Sequence, residues 1–282
     1  MNRPPPISTH FPHTTLFRSK AVIATSALVL AIPALAATQL TWYGHSTYKI
    51  VTPSGKTVII DPWINNPTNP NAKKDMEALD DVSLILATHG HFDHIADATA
   101  IAENNPTAML VSTLELGKAM VKHMKFPEGQ FNMGTAGFPG GEISLLDGEV
   151  KVGFVPAVHG GSVELENGEL KEAGIAVGFV VSIKNGPRFY HTGDTDLFSD
   201  MKLVNEFGKI DAMLVAIGDR FTMGPERAAE AVKLVNPKMA IPNHYGTFNI
   251  LPGTPEDFAK ALKKRGAKAN LKVMKVGETI QF

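Results

Sequence analysis

The run Thr88-His89-Gly90-His91-Phe92-Asp93-His94 constrains the fold more strongly than any other part of this 282-residue chain. It follows an apolar, strand-like stretch, residues 82–87, so four side chains that can bind a metal stand where a buried strand would end. In this spacing His89 and His91 can face one way and Asp93 and His94 the other. A single loop could then hold two metal ions side by side. The run therefore predicts a hydrolase that uses metal ions to generate hydroxide near neutral pH.

Composition limits both the ligands and the partners. The chain contains no cysteine, so disulfides and thiolate ligands are excluded, and histidine and carboxylate remain as strong ligands. Lysine and arginine total 27 against 28 for aspartate and glutamate, and this balance gives no indication of a nucleic-acid partner. We therefore expect a small-molecule substrate and no nucleic acid.

Residues 1–37 have the pattern of a secretory signal peptide. Arg18 and Lys20 precede an apolar run at 21–35, which is shorter than the ~20 residues of a membrane span, and Ala34-Leu35-Ala36 has the small-x-small pattern of a cleavage site. We expect a periplasmic or secreted protein with no stable membrane association after cleavage; a retained N-terminal anchor is the alternative. The segment 11–19 resembles a translated sequencing adapter, so we expect the residues before Arg18 to be foreign to the gene.

Residues 38–282 are predicted to form one domain, because no linker, charge block or repeat divides them. Strands in series, broken by single helices, predict an α/β fold with two sheets packed face to face and helices outside. The pattern also predicts a helix at about Ile95–Asn104, a helix at Met201–Phe207 and a closing strand at Lys272–Val276.

The histidine-rich run cannot complete two coordination shells alone, so further ligands must come from other strand ends. His159 follows the apolar strand 152–158, Asp194 follows a strand and glycine turn at 188–193, and His244 follows the strand 239–243. Each of these residues alone is more typical of an ordinary turn or helix cap. Together they predict a rigid site built from the ends of several strands.

The order of these residues resembles the metallo-β-lactamase superfamily. Four further motifs resemble its branch of metal-dependent hydrolases related to ascorbate-6-phosphate lactonase: Gly44-His45-Ser46-Thr47, Ile60-Asp61-Pro62-Trp63, His191-Thr192-Gly193-Asp194-Thr195 and Phe221-Thr222-Met223-Gly224-Pro225. The resemblance covers nearly all of the chain after Ala37. It implies an αββα four-layer sandwich with a dinuclear metal site at one edge.

The resemblance also implies a role for each ligand. The first metal would be bound by His89, His91 and His159, the second by Asp93, His94 and His244, and both by the bridging carboxylate of Asp194. Two divalent ions are implied, with zinc expected first and manganese or iron as alternatives. Asp93 is also the implied catalytic residue, because it could aim a bridging hydroxide at an ester, lactone, amide or phosphoester.

Two other histidines and one loop have open roles. His45 could contact substrate or shuttle a proton, or it could serve only as a structural hydrogen-bonding residue, and His191 could orient a ligand. The segment Gly160–Gly174 is predicted to form a short hairpin over the metals that influences specificity, with a plain solvated turn as the alternative. Its acidity disfavours a highly anionic substrate.

Two other functions remain open at this level. One is a mononuclear iron sulfur dioxygenase on the same fold, and the other is a non-catalytic periplasmic metal-binding protein. The two-site ligand set argues against the first, and the presence of Asp93 as an orienting carboxylate argues against the second.

Overall fold

Two mixed β-sheets form the body of the structure, a computed structural model that describes residues 1–8, 10 and 37–282. The apolar run and the cleavage pattern of the predicted signal peptide lie outside these described residues. Among the helices that are described, none has both the length and the apolar character needed to cross a membrane.

The first sheet has the strand order β16-β1-β2-β3-β4-β5-β6. Its strands are β1 (Gln39–Trp42), β2 (Tyr48–Val51), β3 (Thr57–Ile60), β4 (Val82–Leu86), β5 (Met109–Thr113), β6 (Ala136–Gly137) and β16 (Thr279–Gln281). Strands β1 to β3 pair antiparallel, with a tight turn at 53–56 between β2 and β3, whereas β3, β4 and β5 run parallel.

The second sheet has the order β15-β14-β13-β12-β11-β8-β7. Its strands are β7 (Glu142–Leu145), β8 (Val150–Pro156), β11 (Val177–Ile183), β12 (Arg188–His191), β13 (Ala212–Ala216), β14 (Met239–Asn243) and β15 (Asn270–Leu271). A separate two-stranded hairpin is formed by β9 (Val163–Glu164) and β10 (Leu170–Lys171), so the hairpin predicted between Gly160 and Gly174 is confirmed.

The helices connect the parallel strands on the outer faces. They are α1 (Ala72–Glu77), α2 (Phe92–Ile95), α3 (Ala98–Asn104), α4 (Leu114–His123), α5 (Pro225–Val235) and α6 (Pro255–Arg265), with 3-10 segments at Glu128–Gln130, Leu146–Gly148 and Ser199–Phe207. Helix α6 shows why such segments are helical: the Thr254 hydroxyl accepts a hydrogen bond from the Asp257 N–H, and Gly266 ends the helix with φ of +66°.

Buried apolar side chains form three layers: one between the two sheets, and one between each sheet and its outer helices. Helices, sheet, sheet and helices thus form the predicted four-layer sandwich. Along β4, Leu84 and Leu86 face the layer between the two sheets, whereas Ile85 faces the layer beneath α3 and α4. Along β13, Leu214 faces the layer between the sheets and Met213 the layer beneath α5 and α6. Strands buried on both faces lack polar alternation, and this explains the continuous apolar runs in the sequence.

Three predicted elements differ in the structure. The helix predicted at Ile95–Asn104 is divided into α2 and α3, because the Asp97 N–H donates to the Pro62 carbonyl at 3.0 Å instead of to a helical carbonyl. The helix predicted at Met201–Phe207 is a 3-10 helix. The closing strand predicted at Lys272–Val276 is wrong: this segment crosses from the second sheet to the first, and strand pairing resumes only in β16.

Candidate metal centre

The ends of four strands bring the predicted site residues to one edge of the sandwich. The loop after β4 supplies the His89–His94 cluster, while His159 follows β8, Asp194 follows β12 and His244 follows β14. One sheet therefore provides four of the seven side chains, and the other sheet provides three. The structure places all seven together, in groups whose potential ligand atoms lie within 4.8 Å of one another.

The first group contains His89, His91 and His159. The His91 Nδ1 atom lies 3.1 Å from the His89 Nε2 atom and 3.2 Å from the His159 Nε2 atom. Nitrogen atoms that bind one tetrahedral zinc ion at ~2.0–2.1 Å are about 3.3 Å apart. The three nitrogen atoms therefore fit a shared metal ion.

The second group contains Asp93, His94 and His244, and Asp194 lies between the two groups. The Asp194 Oδ1 atom is 3.3 Å from the His94 Nε2 atom, and its Oδ2 atom is 3.0 Å from the His244 Nε2 atom. The same Oδ2 atom is 3.6 Å from the His159 Nε2 atom of the first group. The carboxylate of Asp194 thus lies near histidines of both groups.

Several buried polar atoms in this centre have no hydrogen-bond partner. They are His94 Nε2, Asp194 Oδ1, and both ring nitrogens of His244. A buried polar atom without a partner costs about 1–3 kcal/mol, so a folded protein seldom leaves several in one place. Bound cations would satisfy the three atoms that point into the centre, and the donor set of imidazole and carboxylate suits divalent metals.

The first group has the protonation state that metal binding requires. Burial, followed by the charge of His94, lowers the pKa of His89 well below its ordinary value, and the pKa of His91 is lowered for the same reasons. Burial also lowers the pKa of His159. Neutral imidazoles keep the lone pair that a metal needs.

The second group is a charged cluster when no metal is present. Burial opposes a charge on His94, but Asp194, Asp61 and Asp93 raise the pKa of this histidine well above its ordinary value. Burial likewise opposes ionisation of Asp194, yet His244 and His94 hold its pKa well below the usual range. A protonated His94 thus takes part of the electrostatic role that a metal ion would take.

Asp61 belongs to the centre, although the sequence motifs assign it no role. Its Oδ2 atom accepts hydrogen bonds from the Nδ1–H of His94 at 2.7 Å and from the Thr88 hydroxyl at 2.7 Å, while its Oδ1 atom accepts from the Thr88 N–H at 2.8 Å. This fully buried carboxylate fixes the tautomer of His94 and turns the Nε2 atom toward the centre. The Ile60-Asp61-Pro62-Trp63 motif at the end of β3 was the signal that could have identified it.

His45 is a positioning residue. Its ring nitrogens lie 2.9 Å from the Asp93 Oδ2 atom and 2.8 Å from the Thr247 hydroxyl. Burial, with the nearby His244, lowers the pKa of His45 to about 4, so the neutral ring donates through Nε2–H to Asp93 and accepts from Thr247 through Nδ1. His45 is fully buried, and this geometry favours the structural hydrogen-bonding role over substrate contact.

His191 holds the turn that presents Asp194. Its Nε2–H donates to the Ser46 carbonyl at 2.9 Å, and its Nδ1 atom accepts from the Gly193 N–H at 3.1 Å. Burial lowers the pKa of His191, which keeps the neutral form that this pair of bonds needs. His191 therefore orients a ligand through the backbone rather than through a direct hydrogen bond.

Three residues of the centre have left-handed backbone conformations. The φ angles are +47° at His45, +46° at Asp61 and +53° at His244. This region is unfavourable for residues with a side chain, by roughly 1–2 kcal/mol each. Such strain persists where the surrounding structure enforces it, and it is concentrated at functional sites.

Comparison with known proteins gives the family. The beta-lactamase superfamily domain matches residues 56–245. A UPF0173 metal-dependent hydrolase of Thermodesulfovibrio yellowstonii is 51% identical over 257 residues, which cover 90% of this chain and 96% of that protein. Another, from Anaeromyxobacter sp. (strain K), is 42% identical over 246 residues and covers 87% of each.

A solved structure agrees with this assignment. Igni18, a metallo hydrolase of the archaeon Ignicoccus hospitalis, has a TM-score of 0.75 at 30% identity, covering 88% of this chain and 99% of that chain. The superfamily resemblance and the predicted fold are both confirmed. This chain belongs to the beta-lactamase superfamily and, within it, to the UPF0173 metal-dependent hydrolases.

Proposed function

We propose that this chain binds two divalent metal ions and hydrolyses an ester, lactone, amide or phosphoester of a small molecule. Zinc is the expected metal, with manganese or iron as alternatives. One observation supports this most directly: two groups of ligand atoms flank the single carboxylate of Asp194, which contacts histidines of both groups. Metal ions held by these residues would supply the Lewis acidity that activates water near neutral pH and that stabilises negative charge on the substrate oxygen.

The chain's own residues orient the attack. Asp93 is partly exposed to the cleft above the centre, and its Oδ2 atom is fixed by the Nε2–H of His45. Burial opposes the charge of Asp93, but His94 and the hydrogen bond from His45 lower the pKa of its carboxyl. An ionised, immobilised carboxylate can accept a proton from the attacking water and hold it for the leaving group.

The two alternative functions receive less support. A mononuclear iron dioxygenase needs only one set of ligands, whereas both sets are assembled here. A non-catalytic metal-binding protein has no need for a carboxylate held at the cleft by His45, whose other ring nitrogen is hydrogen-bonded to Thr247. Periplasmic or secreted localisation remains a proposal that depends on the predicted signal peptide, and cell fractionation would test it.

The metal content and the activity should change together in matched variants. After loading with zinc or manganese and removal of free metal, we expect about two ions per chain. The protein would then be screened with lactones, phosphodiesters, thioesters and β-lactams. Asp93→Asn should lower kcat at least ~100-fold, and His91→Ala should lose about one ion.

His123→Ala is the matched control, since this histidine lies in α4 and belongs to neither group; it should retain both ions and full activity. A protein that retains about one iron and hydrolyses no ester would overturn the proposal. Full hydrolytic activity in Asp93→Asn or His91→Ala would contradict the mechanism.

A further inference from the structure

A cleft of about 540 Å³ opens onto the proposed metal centre. Its floor is formed by five of the seven proposed ligands: His91, Asp93, His159, Asp194 and His244. A bond that is cleaved at this floor leaves the rest of the substrate against the walls. The chemistry of the walls therefore indicates which substrates fit, and a volume of this size accommodates a small organic molecule.

The walls are predominantly apolar. Six apolar side chains from four separate segments line them: Phe92, Leu170, Phe221, Phe248, Ile250 and Leu251. Phe92, Leu170 and Phe221 are each more than half exposed, at 54%, 65% and 53%. Single exposed apolar residues are ordinary, but several around one cleft are typical of a binding site.

One wall is built from aromatic rings that pack against one another. The Trp63 ring stacks on the Phe248 ring with centroids 5.8 Å apart and meets the edge of the Phe92 ring at 5.4 Å. Because these aromatic contacts fix the rings before any ligand arrives, little conformational entropy is lost when a ligand packs against them.

The walls offer little to an anionic group. Within the described residues no lysine or arginine lines the cleft, and the ionisable wall residue is Glu164 on the β9–β10 hairpin. The guanidinium of Arg220 packs over the Phe221 ring at 5.5 Å, and Arg220 is not among the residues that line the cleft. A phosphate or polycarboxylate body would lose its hydration against apolar side chains without gaining a cationic partner.

We propose that the cleft selects uncharged esters and lactones that carry an apolar alkyl or aryl body, with this body held by the aromatic wall and Leu170. This inference rests on the proposed hydrolytic function and narrows its substrate class. It disfavours phosphorylated lactones and other anionic small molecules.

A lactone series tests the proposal. For the zinc-loaded full chain, kcat/KM should rise from γ-butyrolactone to γ-decalactone, by up to about fourfold for each methylene that becomes buried. In Leu170→Ala and Phe221→Ala, kcat/KM should rise less with alkyl length than in the unchanged protein. Leu203→Ala is the matched control, because Leu203 is similarly exposed at 51% but lies on the 3-10 helix Ser199–Phe207, away from the cleft; it should keep the full increase.

A binding measurement separates this proposal from the proposed function, because it needs neither metal nor turnover. Trp63 is one of two tryptophans, and 2-alkyltetrahydrofurans, which cannot be hydrolysed, should change the fluorescence of the metal-free chain saturably. Affinity should increase with alkyl length, and Trp63→Phe should abolish the signal.

The outcomes are distinct. Binding that strengthens with alkyl length in a protein that hydrolyses nothing would support the cleft proposal and overturn the proposed function. Hydrolysis of γ-butyrolactone or of 6-phosphogluconolactone at least as fast as γ-decalactone would overturn the cleft proposal alone. Binding that is independent of alkyl length would also overturn it.

Discussion

Asp61 and His45 set the geometry of the proposed centre although neither belongs to the ligands that the sequence motifs imply. Asp61 fixes His94 through a 2.7 Å hydrogen bond, and His45 fixes Asp93 through one of 2.9 Å. Asp61 and His45 are both fully buried, so their hydrogen bonds are sheltered from competing water. Residues of this kind determine which atom of a ligand faces the metal, and their loss commonly lowers metal affinity 10–100-fold.

Asp61→Asn should therefore weaken zinc binding by ~10–100-fold, because an amide oxygen is a poorer acceptor for the His94 Nδ1–H. Competition with a chromogenic chelator would measure the affinity. Asp97→Asn is a suitable control: this buried carboxylate accepts two hydrogen bonds from Asn65 but does not contact a proposed ligand. An equal loss of affinity in both variants would indicate a general loss of stability rather than orientation of His94.

At the scale of elements, the β9–β10 hairpin packs directly against the loop that carries the histidine cluster. A Cβ atom added at Gly90 would lie 2.7 Å from the Ser162 carbonyl oxygen and 2.7 Å from the Val163 Cγ1 atom. Gly90 stands between His89 and His91, so the hairpin can approach closely only because this position lacks a side chain. The hairpin that lines the cleft and the loop that holds the ligands are thus packed as one unit.

Gly90→Ala should lower the free energy of unfolding by roughly 1–3 kcal/mol, because overpacking must displace the hairpin or the loop. Urea unfolding of the metal-free protein would measure this change, and zinc affinity should fall in the same variant. Gly129→Ala serves as the control, since nothing lies within 4 Å of its added Cβ atom. If both variants unfolded at the same urea concentration, the close packing at Gly90 would not contribute to the stability of the fold.

At the scale of the whole molecule, the proposed metal centre connects the two sheets. His89 follows β4 of the first sheet, whereas His244 follows β14 of the second. The apolar layer between the sheets brings these strand ends together, and bound ions would add a second connection at the edge. Metal binding should therefore stabilise the fold as a whole rather than one loop.

Zinc at a free concentration about a hundredfold above its Kd should add roughly 2.7 kcal/mol per site to the free energy of unfolding. Thermal unfolding with zinc and with a chelator would show this as a higher Tm with metal. His89→Ala and His244→Ala, from opposite sheets, should each lose part of the increase, while His123→Ala should keep it. An undiminished increase in either ligand variant would argue against a centre shared by the sheets.

Sequence patterns predicted most of the architecture because burial on both faces and glycine turns are local signals. Strand β4 and the histidine loop could be located from their own residues, whereas the closing segment 272–276 could not. Its neighbours in space, β14 and β1, lie far away in the chain, and they determine where strand pairing stops. The break between α2 and α3 has the same origin, since the Asp97 N–H bonds to Pro62.

The sequence alone determined the types of the proposed ligands, their order and their positions at strand ends, because metal coordination without cysteine requires histidine and carboxylate side chains there. Only the tertiary structure decided that Asp61 orients His94, that His45 is buried behind Asp93, and that Phe92, Leu170 and Phe221 surround one cleft. These relationships join residues from 33 positions apart, for Asp61 and His94, to 129 positions apart, for Phe92 and Phe221. They depend on how two sheets pack, which no local pattern encodes.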